Sequence, residues 1–215
     1  MLSIHRVAIH VVIVLMMLAA PACSSRDEKL ERAKALFNEA TQSSRTEAFQ
    51  IVAPLADGGD ADAQLLVSIC FLEGWGVARD RAEYARWLRR SAEGGNTTAQ
   101  CGMGVLILEV GGPNQWKEAF DWLLMAAEQG DAKAMRHLFT MYAAGRGVPQ
   151  DLKEALRWLV LSAERGDVRA QYLAGECFEQ GVGTPKDLSE AERWYGLAAE
   201  QGHRDSKDAL RRLGR

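Results

Sequence analysis

The side chains able to do chemistry are few, and their spacing builds no reaction centre. The chain has four cysteines and four histidines. His5, His10 and Cys23 fall in or beside an apolar N-terminal stretch, which leaves Cys70, Cys101, Cys177, His137 and His203. The two remaining histidines are far apart, and no Cys/His cluster has metal-ligand spacing. There is no Gly-x-x-x-x-Gly-Lys-Ser/Thr loop to cradle phosphates and no Gly-x-Ser-x-Gly elbow to present a nucleophile. Asp57-Gly58-Gly59-Asp60-Ala61-Asp62 is superficially calcium-like. It lacks EF-hand spacing, and acidic residues at a turn serve to cap the following helix. Asn96-Thr97-Thr98 has the pattern of a glycosylation acceptor but reads as a turn. No catalytic residue, metal site or cofactor is expected, and the chain reads as non-enzymatic.

The bulk composition agrees. The 215 residues are 47% hydrophobic, enough for a substantial core in one domain or in a stack of units. The formal net charge is -3, so no basic surface for nucleic acid is expected. Five prolines are too few for a Pro-rich linker.

What organises the chain is repetition. Trp87, Trp122, Trp158 and Trp194 are spaced 35, 36 and 36 residues apart. Gly95, Gly130, Gly166 and Gly202 keep the same spacing, as do Ala92, Ala127, Ala163 and Ala199. Gly74-Trp75-Gly76-Val77, Gly145-Arg146-Gly147-Val148 and Gly181-Val182-Gly183-Thr184 recur in the same frame. One Trp per unit at a fixed core-facing position reads as structural, not as a ligand-stacking group. The units are placed at 63–98, 99–133, 134–169 and 170–205. A shortened capping unit, 29–62, precedes them and a polar capping helix, 206–215, follows.

Each unit reads as two helices. In the third, Ala134, Leu138, Met141 and Tyr142 form one stripe of a 3.6-residue period. Gly145-Arg146-Gly147-Val148-Pro149 interrupts it, and Asp151-Leu152-Lys153-Glu154 starts the next helix like a capping box. Asp80 to Glu83 and Asp187 to Glu190 repeat that start. The second helix carries Ala155, Trp158, Leu159, Ser162 and Ala163 on one face, and Gly166 stops it. A lone pair cannot bury one apolar stripe per helix, whereas stacked pairs can. In the capping unit, Leu30, Ala33, Phe37 and Ala40 make a helix face and Ser43-Ser44-Arg45 is expected to turn. The second unit departs from the rest. Val110-Gly111-Gly112-Pro113 replaces the Gly-x-Gly-Val loop, one residue is deleted, and Gln115 stands where the others have Asp. Cys70 and Cys177 fall on the buried stripe three units apart, too far for a disulfide, and are expected as free core thiols. Cys101 falls on the opposite face with no obvious partner.

The pattern Ala-x(3)-Leu-x(3)-Tyr-x(2)-Gly-x-Gly-Val-x(2)-Asp-x(6)-Trp-x(4)-Ala-x(2)-Gly from Ala134 to Gly166 resembles the Sel-one-like repeat, the longer-looped relative of the tetratricopeptide repeat. The resemblance is strong over 63–205 and weak over 29–62. It implies an all-α, right-handed α-solenoid of stacked antiparallel helix pairs. Some secreted members of that family carry a disulfide-linked Cys pair per repeat and have been credited with β-lactam binding or hydrolysis. This chain lacks those pairs and has no Ser-x-x-Lys, so that role does not carry over.

Residues 1–22 read as a signal peptide, with Arg6 ahead of the apolar run Val7 to Ala20. Ala20-Pro21-Ala22-Cys23 resembles a lipobox, with Ala20 in place of the usual Leu, which implies acylation of Cys23 and a short tether over 23–28. The same residues fit an A-x-A cleavage site of an ordinary secreted protein, and a retained membrane helix is a third alternative. Ser24, not Asp, follows the Cys, which by the lipoprotein resemblance favours the outer membrane over the inner.

The resemblance also implies that the first helix of each pair lines a concave groove. The face opposite the buried stripe carries Leu65, Ile69 and Leu72, then Cys101, Val105 and Leu108, then Arg136, Thr140 and Ala143, then Tyr172, Glu176 and Glu179. Its N-terminal half is apolar, which suggests a binding patch unless curvature or the N-terminal cap covers it. The expected binding residues are Leu65, Ile69, Leu72, Val105, Leu108, Arg136, Tyr172 and Glu176. Asp62, Thr98, Lys133 and Arg169 would supply a polar rim. The expected function is an exported, monomeric adaptor of the bacterial cell envelope that holds a peptide segment or protein surface. A secreted or surface-exposed factor acting on a host, or an inhibitor, is the alternative, and a β-lactam-hydrolysing enzyme of the cysteine-rich family branch is a further one, against which the missing cysteine pairs and nucleophile argue.

Overall fold

The computed structural model describes residues 25–39 and 41–214. The signal segment and Cys23 lie outside the described residues. The described residues form eleven α-helices: α1 (Arg26–Asn38), α2 (Gln42–Asp57), α3 (Ala61–Glu73), α4 (Arg81–Glu93), α5 (Thr97–Val110), α6 (Trp116–Glu128), α7 (Ala132–Ala144), α8 (Leu152–Glu164), α9 (Val168–Gln180), α10 (Leu188–Glu200) and α11 (Arg204–Arg212). A single 3₁₀ turn, Pro113–Gln115, precedes α6. The extensive contacts run between neighbours in sequence: α1 packs on α2, α3 on α4, and so on, and each second helix packs on the next first helix. This is an all-α stack of helix pairs, and its core runs along the stack as overlapping clusters of buried side chains.

Local chemistry sets the boundaries. Asp60, Asn96, Asp131, Asp167 and His203 each cap a helix by accepting a backbone N–H three residues on. Each unit therefore starts two residues before its first buried alanine, at Ala61, Thr97, Ala132 and Val168. Asp80, Asp151 and Asp187 each accept two N–H groups at the start of a second helix. Second helices are tied to the first helix of their own pair by Ser91 and Ser162, which donate to the carbonyls of Ala61 and Ala132 at 2.6 Å. The periodic Trp87, Trp158 and Trp194 are buried, with an arginine stacked on each ring.

In the three regular units the second loop glycine has φ near +70° and lies against the start of the preceding second helix. A Cβ on Gly76 would come 2.7 Å from the carbonyl oxygen of Arg45. Gly147 and Gly183 meet the carbonyls of Trp116 and Leu152 in the same way. Only glycine satisfies both the left-handed backbone and the close approach.

Three local expectations need correcting. Ser43-Ser44-Arg45 does not turn but lies in the first turn of α2, because the Thr41 hydroxyl accepts from the N–H of Ser44 and starts the helix there; Ala40 lies outside the described residues. The expected tether 23–28 is helical from Arg26, capped by Ser25 and pinned where Arg26 pairs with Asp60 and Asp62. The last helix begins at Arg204, two residues before Ser206, because the ring of His203 caps it.

Candidate functional site

The second unit breaks the loop rule, and a large cavity lies there. Helix α5 runs on to Val110, Gly111 is extended, and the chain reaches α6 through the 3₁₀ turn. Gln115 makes no side-chain cap. No left-handed glycine docks on the start of α4, so the positions matching Trp116 and Leu152 (Arg81) and matching Phe120 and Leu156 (Ala85) are left uncovered. Ala85 is also the smallest residue of its column, which reads Phe49, Ala85, Phe120, Leu156 and, in the last repeat, Glu192. Gly102 of α5 stands where other units have Leu66, His137 and Leu173. Loop and side chains are thus missing at one place.

The resulting cavity has a volume of about 840 Å³. Its floor is apolar: Leu72 of α3, Tyr84 and Ala85 of α4, and Cys101, Gly102, Val105, Leu106 and Val110 of α5. Arg81, Glu109, Thr98, the α7 cap Asp131 and the first α7 residues Ala132 and Lys133 form the mouth. Val110 is 75% exposed at the edge of this apolar surface. Leu106 is half-buried, although its column mates Cys70, Met141 and Cys177 are buried.

The electrostatics favour shape over reaction. Burial pushes the Cys101 thiol up to about 12, assisted by Asp131. It is therefore protonated at neutral pH and a poor nucleophile. Burial also raises the Tyr84 hydroxyl, with Glu109 adding to the effect. Asp131 is committed to capping α7. Among the described residues no group of three or more His, Cys, Asp or Glu is placed to hold a metal.

Of the expected groove residues, Leu72 and Val105 line the cavity, and so does Cys101. Leu65 and Leu108 are half-buried against the central core, and Ile69 is half-buried outside the cavity. The C-terminal residues are not brought to this site, and their polar groups have partners within the chain. Arg136 pairs with Asp167 at 3.1 Å. Tyr172 donates to Glu176 at 2.8 Å, and its ring stacks on His203 at 4.8 Å between centroids. Asp60 and Asp62 of the calcium-like stretch are held by Arg26, and Asn96 caps α5. Cys70, Cys101 and Cys177 are free and buried. The cavity is centred roughly 60° round α5 from the expected face, at 100° per residue. It opens toward the bare start of α4. Sequence reasoning missed Tyr84, Ala85, Gly102, Leu106 and Val110. The signal was available in the columns, as bulk missing from two of them beside an altered loop.

Comparison with known proteins places this architecture. The Sel1 repeat matches residues 61–96, 97–131, 132–167 and 168–203. A Sel1 repeat protein from Oxalobacter formigenes is 32% identical, with a TM-score of 0.68, over 73% of this chain and 65% of that one. The protective antigen c5321 of uropathogenic Escherichia coli, which has the SLR fold, is 25% identical, with a TM-score of 0.78, over 88% of this chain and 41% of that one. The chain therefore spans less than two thirds of either protein. Immunity protein Pa5087 from Pseudomonas aeruginosa shares the fold at 20% identity and a TM-score of 0.57, over 87% of this chain and 70% of that one. Comparison with curated proteins finds no match. No helix of the described residues is long and apolar enough to cross a membrane. With four repeats matched across most of its length, the chain belongs to the Sel1 repeat family.

Proposed function

We propose that this protein is a non-enzymatic interaction scaffold that holds a segment of another protein in the cavity between the first two repeats. The observation that carries this reading is the 840 Å³ apolar cavity, created where the repeat pattern is broken while the stack around it stays regular. A rigid stack presents such a surface at little ordering cost on binding. The signal-like N-terminus supports a place in the cell envelope, held by an acylated Cys23 or released after cleavage. Immobilised protein incubated with envelope extract tests the reading. A protein retained by the parent and lost by the folded variant Val105→Asp/Val110→Asp supports it. Equal retention moves binding to another face, and no specific retention on any surface overturns the scaffold.

A second reading, a factor exposed at the cell surface or secreted, is favoured by similarity to a protein described as a protective antigen. Protease accessibility on intact cells separates the two. A chain degraded without breaking the cells is surface-exposed, and a chain degraded only after outer-membrane permeabilisation faces the periplasm.

A further inference from the structure

We propose that the cavity between the first two repeats is an anchor pocket for one bulky aromatic side chain of a partner's peptide segment. This deepens the scaffold reading and rests on it. The argument is internal to the molecule, because the other junctions show what this space holds when the chain fills it. At the next junction Phe120 is buried and packs edge-on against Tyr142, with ring centroids 5.4 Å apart. At the first junction Phe49 meets Phe71 edge-on at 6.1 Å. Leu156 and Phe178 share a core cluster at the last. The corresponding pair here is Ala85 and Ile107, so the bulky side chain that the second helix supplies at the other three junctions, a ring at two of them, is absent. The docked loop is absent with it, which opens the space to the outside. A phenylalanine or tryptophan side chain entering from a partner restores what the sister junctions contain.

The mouth argues for an apolar anchor rather than a charged ligand. Arg81, Glu109 and Lys133 are exposed and make no ion pair among the described residues. They mix both signs, so net charge selects nothing, while the floor offers apolar surface and a protonated thiol. Burial of a side chain there gains free energy from the area removed from water. Edge-to-face contact with the ring of Tyr84 would add to it.

The test is a titration of isotope-labelled protein with acetyl-Ser-Ala-Phe-Ala-Ser-amide, beside the same peptide with Ala at the centre and beside laurate. The expected result is shifts of the Tyr84, Gly102, Val105 and Leu106 amides with the Phe peptide and not with the Ala peptide. Ala85→Phe supplies the missing ring from within and should weaken binding about tenfold or more. Val110→Asp changes a residue in solvent, so it keeps the fold while weakening the same contact. Aromatic-dependent shifts elsewhere, shifts unchanged in both folded variants, or a response to laurate alone would overturn the anchor. If the aromatic-specific shift is absent while envelope-protein capture persists, the anchor falls and the scaffold stands. An aromatic-specific shift with no protein captured overturns the scaffold and with it the assignment of the pocket to a partner protein.

Discussion

Replacing Gly147 by Ala, beside Gly112 by Ala, tests whether the loops of the regular repeats are docked and that of the second repeat is not. The two glycines stand at the same distance from the start of their first helices. Gly147 has φ +71°, and a Cβ there would drive into the carbonyl of Trp116. Left-handed backbone costs a residue with a Cβ about 1–2 kcal/mol. Moving a packed loop off a carbonyl costs about 1–3 kcal/mol more. The expected loss is thus about 3 kcal/mol, which for a chain of this size lowers the melting temperature by about 6–12 °C. Gly112 is extended at φ -96°, and the nearest atom to its Cβ is 4.0 Å away. Alanine there restricts the unfolded chain and should be neutral or stabilise by about 0.4–1 kcal/mol. Thermal melts and urea midpoints with unchanged m values read the difference. Equal losses at both positions would refute the reasoning, because they would mean that the second loop is docked like the others and the cavity is closed.

Other consequences follow from single contacts. Asp151→Ala leaves the N–H groups of Lys153 and Glu154 without their acceptor and should cost about 1–2 kcal/mol by urea denaturation. Ala85→Phe should stabilise the fold by about 0.5–2 kcal/mol by filling the cavity, read as a higher urea midpoint at unchanged m value. Arg212 donates to Glu179 and holds its carboxyl below the usual range, with the Tyr195 hydroxyl assisting. The ionised form is thus favoured in the folded state. Its contribution is complete at neutral pH and is lost as the pH falls from the ordinary carboxylate value through the lower folded one. Protection factors of the α11 amides should drop over that interval, and Arg212→Ala should flatten the dependence. Burial pushes the thiols of Cys70 and Cys101 up to about 12 and that of Cys177 to about 11. Alkylation at pH 8 should therefore be slow until urea unfolds the chain, and rapid labelling of Cys70 in folded protein would contradict the packing.

The sequence by itself determined the fold. The Trp, Gly and Ala columns, the Asp starts and the Gly-x-Gly-Val loops are local signals, and each specifies a helix end or a buried position within one repeat. Because every unit touches its neighbours in the same way, local signals propagate into the whole architecture. Two exceptions stand out: Ser43 to Arg45 reads as a turn until the Thr41 cap claims it, and Arg26 opens a helix that Ser25 caps and that Asp60 and Asp62, far along the chain, hold. The site was only half legible. Leu72 and Val105 were readable from the face opposite the buried stripe. Leu65 and Leu108 lie on that face too, yet neighbouring helices half-cover them. Whether Tyr84, Ala85 and Leu106 face protein or open space depends on how the loop of the following repeat crosses the start of α4. That crossing joins residues of two units, so only the tertiary structure decided where the stack is left unfilled.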